Sequence, residues 1–242
     1  MLRRVKRVAS TFDVRFLLRF REFQRLARTE RFEMSLRNAY PIMNEATPKT
    51  YFDSHYIYHT AWAIRKLKEI APKDHVDISS SLYFVGMASS ICPMTFLDYR
   101  PAELHVPGLQ VGSCDLCHLG LPDESVESLS CMHVVEHIGL GRYGDELDYD
   151  GDLKAIGELK RVLKCGGNLL FVVPIGKPRI MFNAHRIYSY RQVVETFEGF
   201  DVREFYLIPD DGARPIEDAT EQQANEQEYG CGCFWLRKRE IQ

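Results

Sequence analysis

From residue 75 to residue 174 the chain alternates short apolar runs with helical periodicity, and this limits its fold more than any other feature. "HVDIS" (75–79), "MTFLD" (94–98), "VESLSCMH" (126–133) and "GNLLFVVP" (167–174) have the length and composition of largely buried strands. Between the last two, "GDLKAIGELKRVLKCGG" places Leu153, Ile156, Leu159 and Leu163 on one helical face. Lys160, Arg161 and Lys164 suit its C-terminal turn, and Gly166 can stop it. "YSYRQVVETFEGF" is a further helix capped by Ser189, and "VREFYLI" and "YGCGCFWLRKR" form a closing strand pair around a polar, mobile acidic loop, 209–228. Strands separated by helices build a mostly parallel sheet covered on both faces, which takes its ligands at the carboxyl ends of the strands.

Upstream the pattern differs. In "STFDVRFLLRFREFQRLARTERFEM", Phe12, Phe16, Phe20, Phe23, Ala27 and Met34 recur at helical spacings, while Arg15, Arg19, Arg21, Arg25 and Arg28 lie largely off that stripe. Residues 1–40 hold eleven Lys/Arg against four Asp/Glu, and the other 202 hold 20 against 30, so head and body suit different partners. Such a basic amphipathic helix packs on its own domain, on a second copy in a homodimer, or on an anionic membrane face as a peripheral contact. "YPIMNEATPKT" breaks it, and "YFDSHYIYHTAWAIRKLKEI" resumes a helical pattern up to Pro72. The expected division is a basic helical segment, 1–70, before one α/β domain, 71–242.

A length of 242 residues and 45% hydrophobic content support a substantial core. No uncharged apolar stretch reaches the ~18 residues of a membrane span, and arginines replace the apolar centre of a secretory signal, so a cytoplasmic location is expected, with the inner membrane face as a peripheral site. Seven scattered cysteines read as reduced thiols. Cys114 and Cys117 could join Cys231 and Cys233 in a four-thiolate zinc site, but "YGCGCFWLRK" reads as a strand rather than a metal knuckle, which favours buried thiols.

The strand ends carry the candidate chemistry. The first leaves Asp77 followed by a serine run, the second ends at Asp98, and Asp115 sits in a polar loop before the strand at 126. An acid at the second strand tip can accept both hydroxyls of a ribose, and Asp115 could accept from an adenine amino group, although aspartates also end strands simply as turn formers.

The order "DISSS", "FLD", "DLCHLGLPDESVESLSCMHVVEHI" and "ELKRVLKCGGNLLFVVP" resembles the class I S-adenosylmethionine-dependent methyltransferases over residues 70–208. More narrowly, "HVVEHIGLGRYGD", "FNAHRIYS" and "YGCGCF" are similar to a methyltransferase-like branch known as a domain of unknown function, whose members accompany surface-polysaccharide synthesis. The resemblance implies a Rossmann-like sheet of seven strands with helices on both faces and S-adenosylmethionine as cofactor. Asp77, Ser79 and Ser81 would line its methionine end, Asp98 its ribose, and Asp115 with Leu116 its adenine, with His133 at the neighbouring strand end. The family's first turn is usually glycine-rich so that backbone can approach the cofactor. Here "ISSSLYF" offers hydroxyls instead.

His133, Glu136 and His137 also fit the H-x-x-E-H pattern of a group of zinc peptidases. That chemistry needs both histidines on one helix; a strand precedes His133, and Gly139, Gly141 and Gly144 follow, which argues against it. In small-RNA 2′-O-methyltransferases a similar acid-x-x-Glu-His motif and a later histidine bind a divalent ion. The resemblance maps that ligand set onto His133, Glu136, His137 and His185, with His133 making the site softer than Mg²⁺ prefers. Three readings stay open: this metal, His137 or His185 as a general base without one, and a structural role in ordering the loop.

The insertion "GLGRYGDELDYDGD" overhangs the cleft, where Arg142 and Tyr143 can touch substrate; Asn183 and Arg186 face it from after the fifth strand, as does His185. Asp145, Glu146, Asp148, Asp150 and Asp152 form an acidic rim, the last two also suited to capping the next helix. Such a rim disfavours nucleic acid and suits a sugar or another small polar substrate. The expectation is O-methylation of a sugar hydroxyl in polysaccharide or glycolipid synthesis, with Glu136, His137 and His185 as catalytic candidates. The alternative is an inactive methyltransferase-like binding or assembly module.

Overall fold

The computed structural model describes residues 13–29 and 31–240, in two compact units, 1–51 and 52–242. The first unit carries helix α1 (Val14–Leu26), capped by Asp13, whose carboxylate accepts from the Arg15 N–H at 2.7 Å. Phe16 and Phe20 stack on it at 6.3 Å. Phe12 lies outside the described residues, and Ala27 and Met34 fall beyond the helix end.

The second unit opens with α2 (Ser54–Ile70), which the sequence pattern had grouped with the N-terminal segment. It continues through β1 (His75–Ile78), α3 (Leu82–Ala88), β2 (Met94–Asp98), β3 (Leu109–Ser113), β4 (Val126–Met132), α4 (Gly151–Val162), β5 (Leu163–Ile175), β6 (Arg179–Met181), β7 (His185–Ile187), α5 (Tyr190–Thr196), β8 (Phe200–Ile208), α6 (Glu221–Asn225) and β9 (Gly230–Lys238). Seven strands form the sheet in the order β3-β2-β1-β4-β5-β9-β8; β9 runs antiparallel to both its neighbours and the other six are mutually parallel. β6 and β7 pair as a separate hairpin.

Each face of the sheet buries its own core. On one, Ala155, Ile156, Leu159 and Val162 of α4 and Val193 of α5 pack against Leu129, Leu169, Phe171 and Phe234. On the other, Trp62, Ala63 and Leu67 of α2 and Phe84, Val85 and Ala88 of α3 cover Met94, Phe96, Leu170 and Val172. α2 belongs with the sheet because its apolar face closes this second core, and Trp62 Nε1 also donates to Glu204 Oε1 at 2.7 Å. The α4 face differs from the expected one: Leu153 is 50% exposed and Leu163 already opens β5. β3 escaped the sequence pattern because its edge position leaves it only partly buried. The loop after β8 holds α6, closed by a reciprocal Thr220–Gln223 capping box with Ala224 fully buried. Among the described residues no helix is long and apolar enough to cross a membrane.

Candidate active site

A cleft of about 930 Å³ opens at the carboxyl ends of β1 and β4, within the size range of ligand pockets. Four pieces of chain line it: 52–56 at the start of α2, the turn 79–81, the segment 132–143 after β4, and the hairpin tip 183–185, with Tyr229 before β9.

The serine turn is held from beneath. Ser79 adopts φ 55°, the left-handed conformation in which glycine is usual, and its N–H donates to Leu97 O. Asp77 is expected to line the cofactor's methionine end, but it is fully buried: it accepts from Ser80 N at 3.0 Å and from the Ser130 hydroxyl, and burial, partly opposed by these bonds, raises its pKa to about 6. Asp77 therefore shapes the turn instead of lining the cleft. Because the Ser130 proton points to Asp77, His75 Nε2–H donates to Ser130 Oγ (2.8 Å) and His75 Nδ1 accepts from Ser128 Oγ (2.7 Å). Burial keeps that imidazole neutral, with a pKa lowered to about 3. Ser80 Oγ accepts from Met132 N and its hydroxyl turns to Asp77, whereas Ser81 Oγ accepts from Phe84 N and keeps a hydroxyl proton to donate into the cleft.

One strand over, Asp98 is half-buried at the end of β2 and accepts from Arg100 N at 2.7 Å. Asp115 is exposed and accepts from Cys117 N and His118 Nδ1. Leu116 departs from expectation, for its side chain is spent on the core. Neither Asp98 nor Asp115 lines the cleft.

After β4 the chain turns sharply. His133 takes φ 58°, and Val135–His137 make a single 3₁₀ turn, so His133 and His137 share no helix, as expected. Gly139, Gly141 and Gly144 all have positive φ, and a side chain at Gly139 would strike the Asp148 carbonyl. Asp145 gathers this loop by accepting from the N–H groups of Gly139, Gly141 and Tyr143. Asp148 pairs with Lys154 at the rim, and Asp152 is buried.

Glu136 is 1% exposed; its Oε1 lies 2.9 Å from His133 Nδ1 and 3.8 Å from His137 Nε2, while Oε2 has no partner. His137 Nδ1 lies 2.6 Å from Ala184 O, which can only accept, and 3.2 Å from Arg142 Nη1, which also donates to Ala184 O; the shorter contact assigns the proton to Nδ1 and leaves Nε2 as the basic nitrogen. Burial lowers the pKa of His137, and that of His185 as well. His185 Nε2 is buried without a partner, its ring 4.9 Å from Tyr229 and 6.4 Å from His137. Arg142 donates to Ala184 O at 3.0 Å, and Arg100 and Arg142 flank the Tyr143 ring.

Arg186 departs from expectation. It is 5% exposed and points away from the cleft, donating to Ile138 O and Tyr149 O at 2.6 and 2.9 Å beside Asp152. The four expected metal ligands also fail to converge. Among the described residues, the group with ligand atoms within 4.8 Å of one another is His55, His133 and Cys231. Cys114 and Cys117 do not join Cys231 and Cys233. His55, Tyr56 and Tyr229 were missed, and Cys231 was weighed only with other thiols; the i,i+4 histidines of "HYIYH" were the available signal for the first.

The strand order with its single antiparallel member is that of the class I S-adenosylmethionine-dependent methyltransferases, and the chain has that fold. Residues 123–239 match the family described as "Caenorhabditis protein of unknown function, DUF268". The N-methyltransferase NodS from Bradyrhizobium japonicum, in complex with S-adenosyl-L-homocysteine, superposes with a TM-score of 0.54 at 13% identity over 77% of this chain and 88% of its own. YcgJ of Bacillus subtilis does so at 0.52 and 16%, over 76% and 100%. The [4+2]-cyclase SpnF gives 0.51 and 13%, over 74% and 82%. A comparison with curated proteins finds no match. Since a cyclase shares the fold, the reaction has to be argued from the site.

Proposed function

We propose that the protein is an S-adenosylmethionine-dependent methyltransferase that O-methylates a sugar hydroxyl in polysaccharide or glycolipid synthesis. The observation that carries this reading is His137, neutral and fixed through Nδ1 on Ala184 O, with Nε2 left as a base in an aromatic-lined cleft beside the serine turn.

The residues present suit the cofactor. The Ser81 hydroxyl, in the turn 79–81, can reach its charged methionine end, and the backbone at His133 closes the strand end; Asp98 and Asp115 lie outside the cleft lining, at the neighbouring strand end and loop, where the reading assigns them its ribose and adenine. When bound, S-adenosylmethionine supplies an electrophilic methyl group on a sulfonium. The protein's part is to orient the acceptor hydroxyl in line and to take its proton on His137 Nε2. Glu136 Oε1, 3.8 Å away, favours the resulting imidazolium. Tyr56, Tyr143 and Tyr229 offer flat apolar faces, while Asn183, Arg142 and His185 offer hydrogen bonds, a mixture that suits the alternating C–H and O–H surfaces of a sugar. The basic α1 would hold the enzyme near an anionic membrane face.

Calorimetric titration of the full chain with S-adenosylmethionine and its demethylated product tests the first step, and methyl transfer from labelled cofactor to nucleotide sugars, oligosaccharides and glycolipids tests the second. His137→Gln is expected to lower kcat about 10²- to 10⁴-fold while leaving product affinity within a few-fold. Absence of binding at millimolar cofactor would overturn the enzyme reading in favour of a binding or assembly module.

A further inference from the structure

Three elements bring soft ligands together beside the cleft: His55 from the first turn of α2, His133 from the end of β4, and Cys231 from β9. One ligand atom from each lies within 4.8 Å of the others. His133 Nε2 and Cys231 Sγ are 3.4 Å apart. Zinc bonds of ~2.0 Å to nitrogen and ~2.3 Å to sulfur at a tetrahedral angle would put those atoms about 3.5 Å apart, so the pair needs little rearrangement.

The surroundings match those of a metal-binding histidine. His133 presents Nδ1 to Glu136 Oε1 at 2.9 Å, which directs the Nε2 lone pair toward Cys231 and His55, the carboxylate–histidine arrangement that orients such ligands. Glu136 is 1% exposed and both its imidazole neighbours face Oε1, so Oε2 is left without a partner. The buried Nε2 of His59, on a ring 5.1 Å from that of His133, is unpartnered as well. A nearby dication would offset the first deficit. It would also replace the thiol proton of Cys231, which is released to solvent as the sulfur becomes a thiolate ligand.

We propose that His55, His133 and Cys231 bind a zinc-class divalent ion, with Glu136 as the positioning carboxylate behind His133 and the fourth coordination place open to an oxygen ligand in the cleft. The site shares Glu136 and the cleft with the methyl-transfer reading, but its occupancy needs neither the serine turn nor a methyl donor.

Titration of the full chain, purified with chelator and reductant, with Co²⁺ and then Zn²⁺ tests this without any cofactor. One equivalent of Co²⁺ is expected to give a thiolate-to-cobalt charge-transfer band in the near ultraviolet, abolished by Zn²⁺ and absent in Cys231→Ser. His55→Ala should weaken binding at least tenfold and Glu136→Gln about 10- to 100-fold. Cys233→Ser, altering the thiol 3.9 Å from Cys231, should keep the band. If Cys231→Ser does not fold, His55→Ala carries the test from a half-buried position on α2. No thiolate band in the unaltered protein, or a band that survives both Cys231→Ser and His55→Ala, would overturn the proposal.

Discussion

One hydrogen bond, from His137 Nδ1 to Ala184 O, decides which imidazole nitrogen is left for chemistry. Because burial lowers the pKa of this histidine, the base is unprotonated at neutral pH, and the acidic limb of kcat/KM should lie below the ordinary imidazole value of 6.5. A pH profile with a limb above 7 would contradict it. Asp77 yields a prediction of the opposite kind. Its folded pKa is raised to about 6 from 3.8, so the folded state holds the proton more tightly and this group's contribution to stability falls as pH rises between those values. The charged form costs about 3 kcal/mol at pH 7. Asp77→Asn can keep the bond from Ser80 N and donate to Ser130 Oγ; its stability relative to the parent should improve from pH 4 to about pH 6 and then level off in denaturant titrations, and an unchanging difference would remove the argument. Both residues stood out in the sequence, His137 by its motif and Asp77 by its place at a strand end. That Asp77 faces inward was not legible, because its partner Ser130 is 53 residues away.

The strands and the helices between them were largely readable because each follows a clear hydrophobic period. The hairpin β6–β7 was not, since its strands are three residues each, β6 is exposed, and it is defined by pairing with itself. Yet it supplies Asn183, Ala184 and His185 to the cleft. α2 was readable as a helix but not as part of the sheet's cover, which is why His55 escaped notice. Arg186 shows how β7 ties down the loop after β4: its guanidinium satisfies the carbonyls of Ile138 and Tyr149 and faces Asp152, which also accepts from the Tyr188 hydroxyl. Arg186→Met should cost about 3–5 kcal/mol in chemical denaturation, because it leaves a buried carboxylate with one partner fewer, and adding Asp152→Leu should recover part of the loss. A single variant as stable as the parent would show that the clamp is dispensable.

For the whole molecule, the split in charge between residues 1–40 and the remainder was legible from counting alone. α1 carries Arg15, Arg19, Arg21 and Arg25 together with exposed Val14, Leu18, Phe23 and Leu26. The protein should therefore sediment with vesicles of anionic lipid at low salt and be released as ionic strength rises, since screening shortens the reach of those arginines. Failure to bind at low salt would leave packing on its own domain or on a second copy as the use of the helix. The placing of β9 between β5 and β8 has a consequence for assembly. As the chain is synthesised, β5 and β8 emerge before the strand that joins them, and each must wait with an open edge until residues 230–238 arrive. Cys231 comes with that strand, at the cleft end of the sheet, so the walls at His55 and His133 gain their third side at the step that closes the sheet. A ligand held there would report completed folding as well as occupancy.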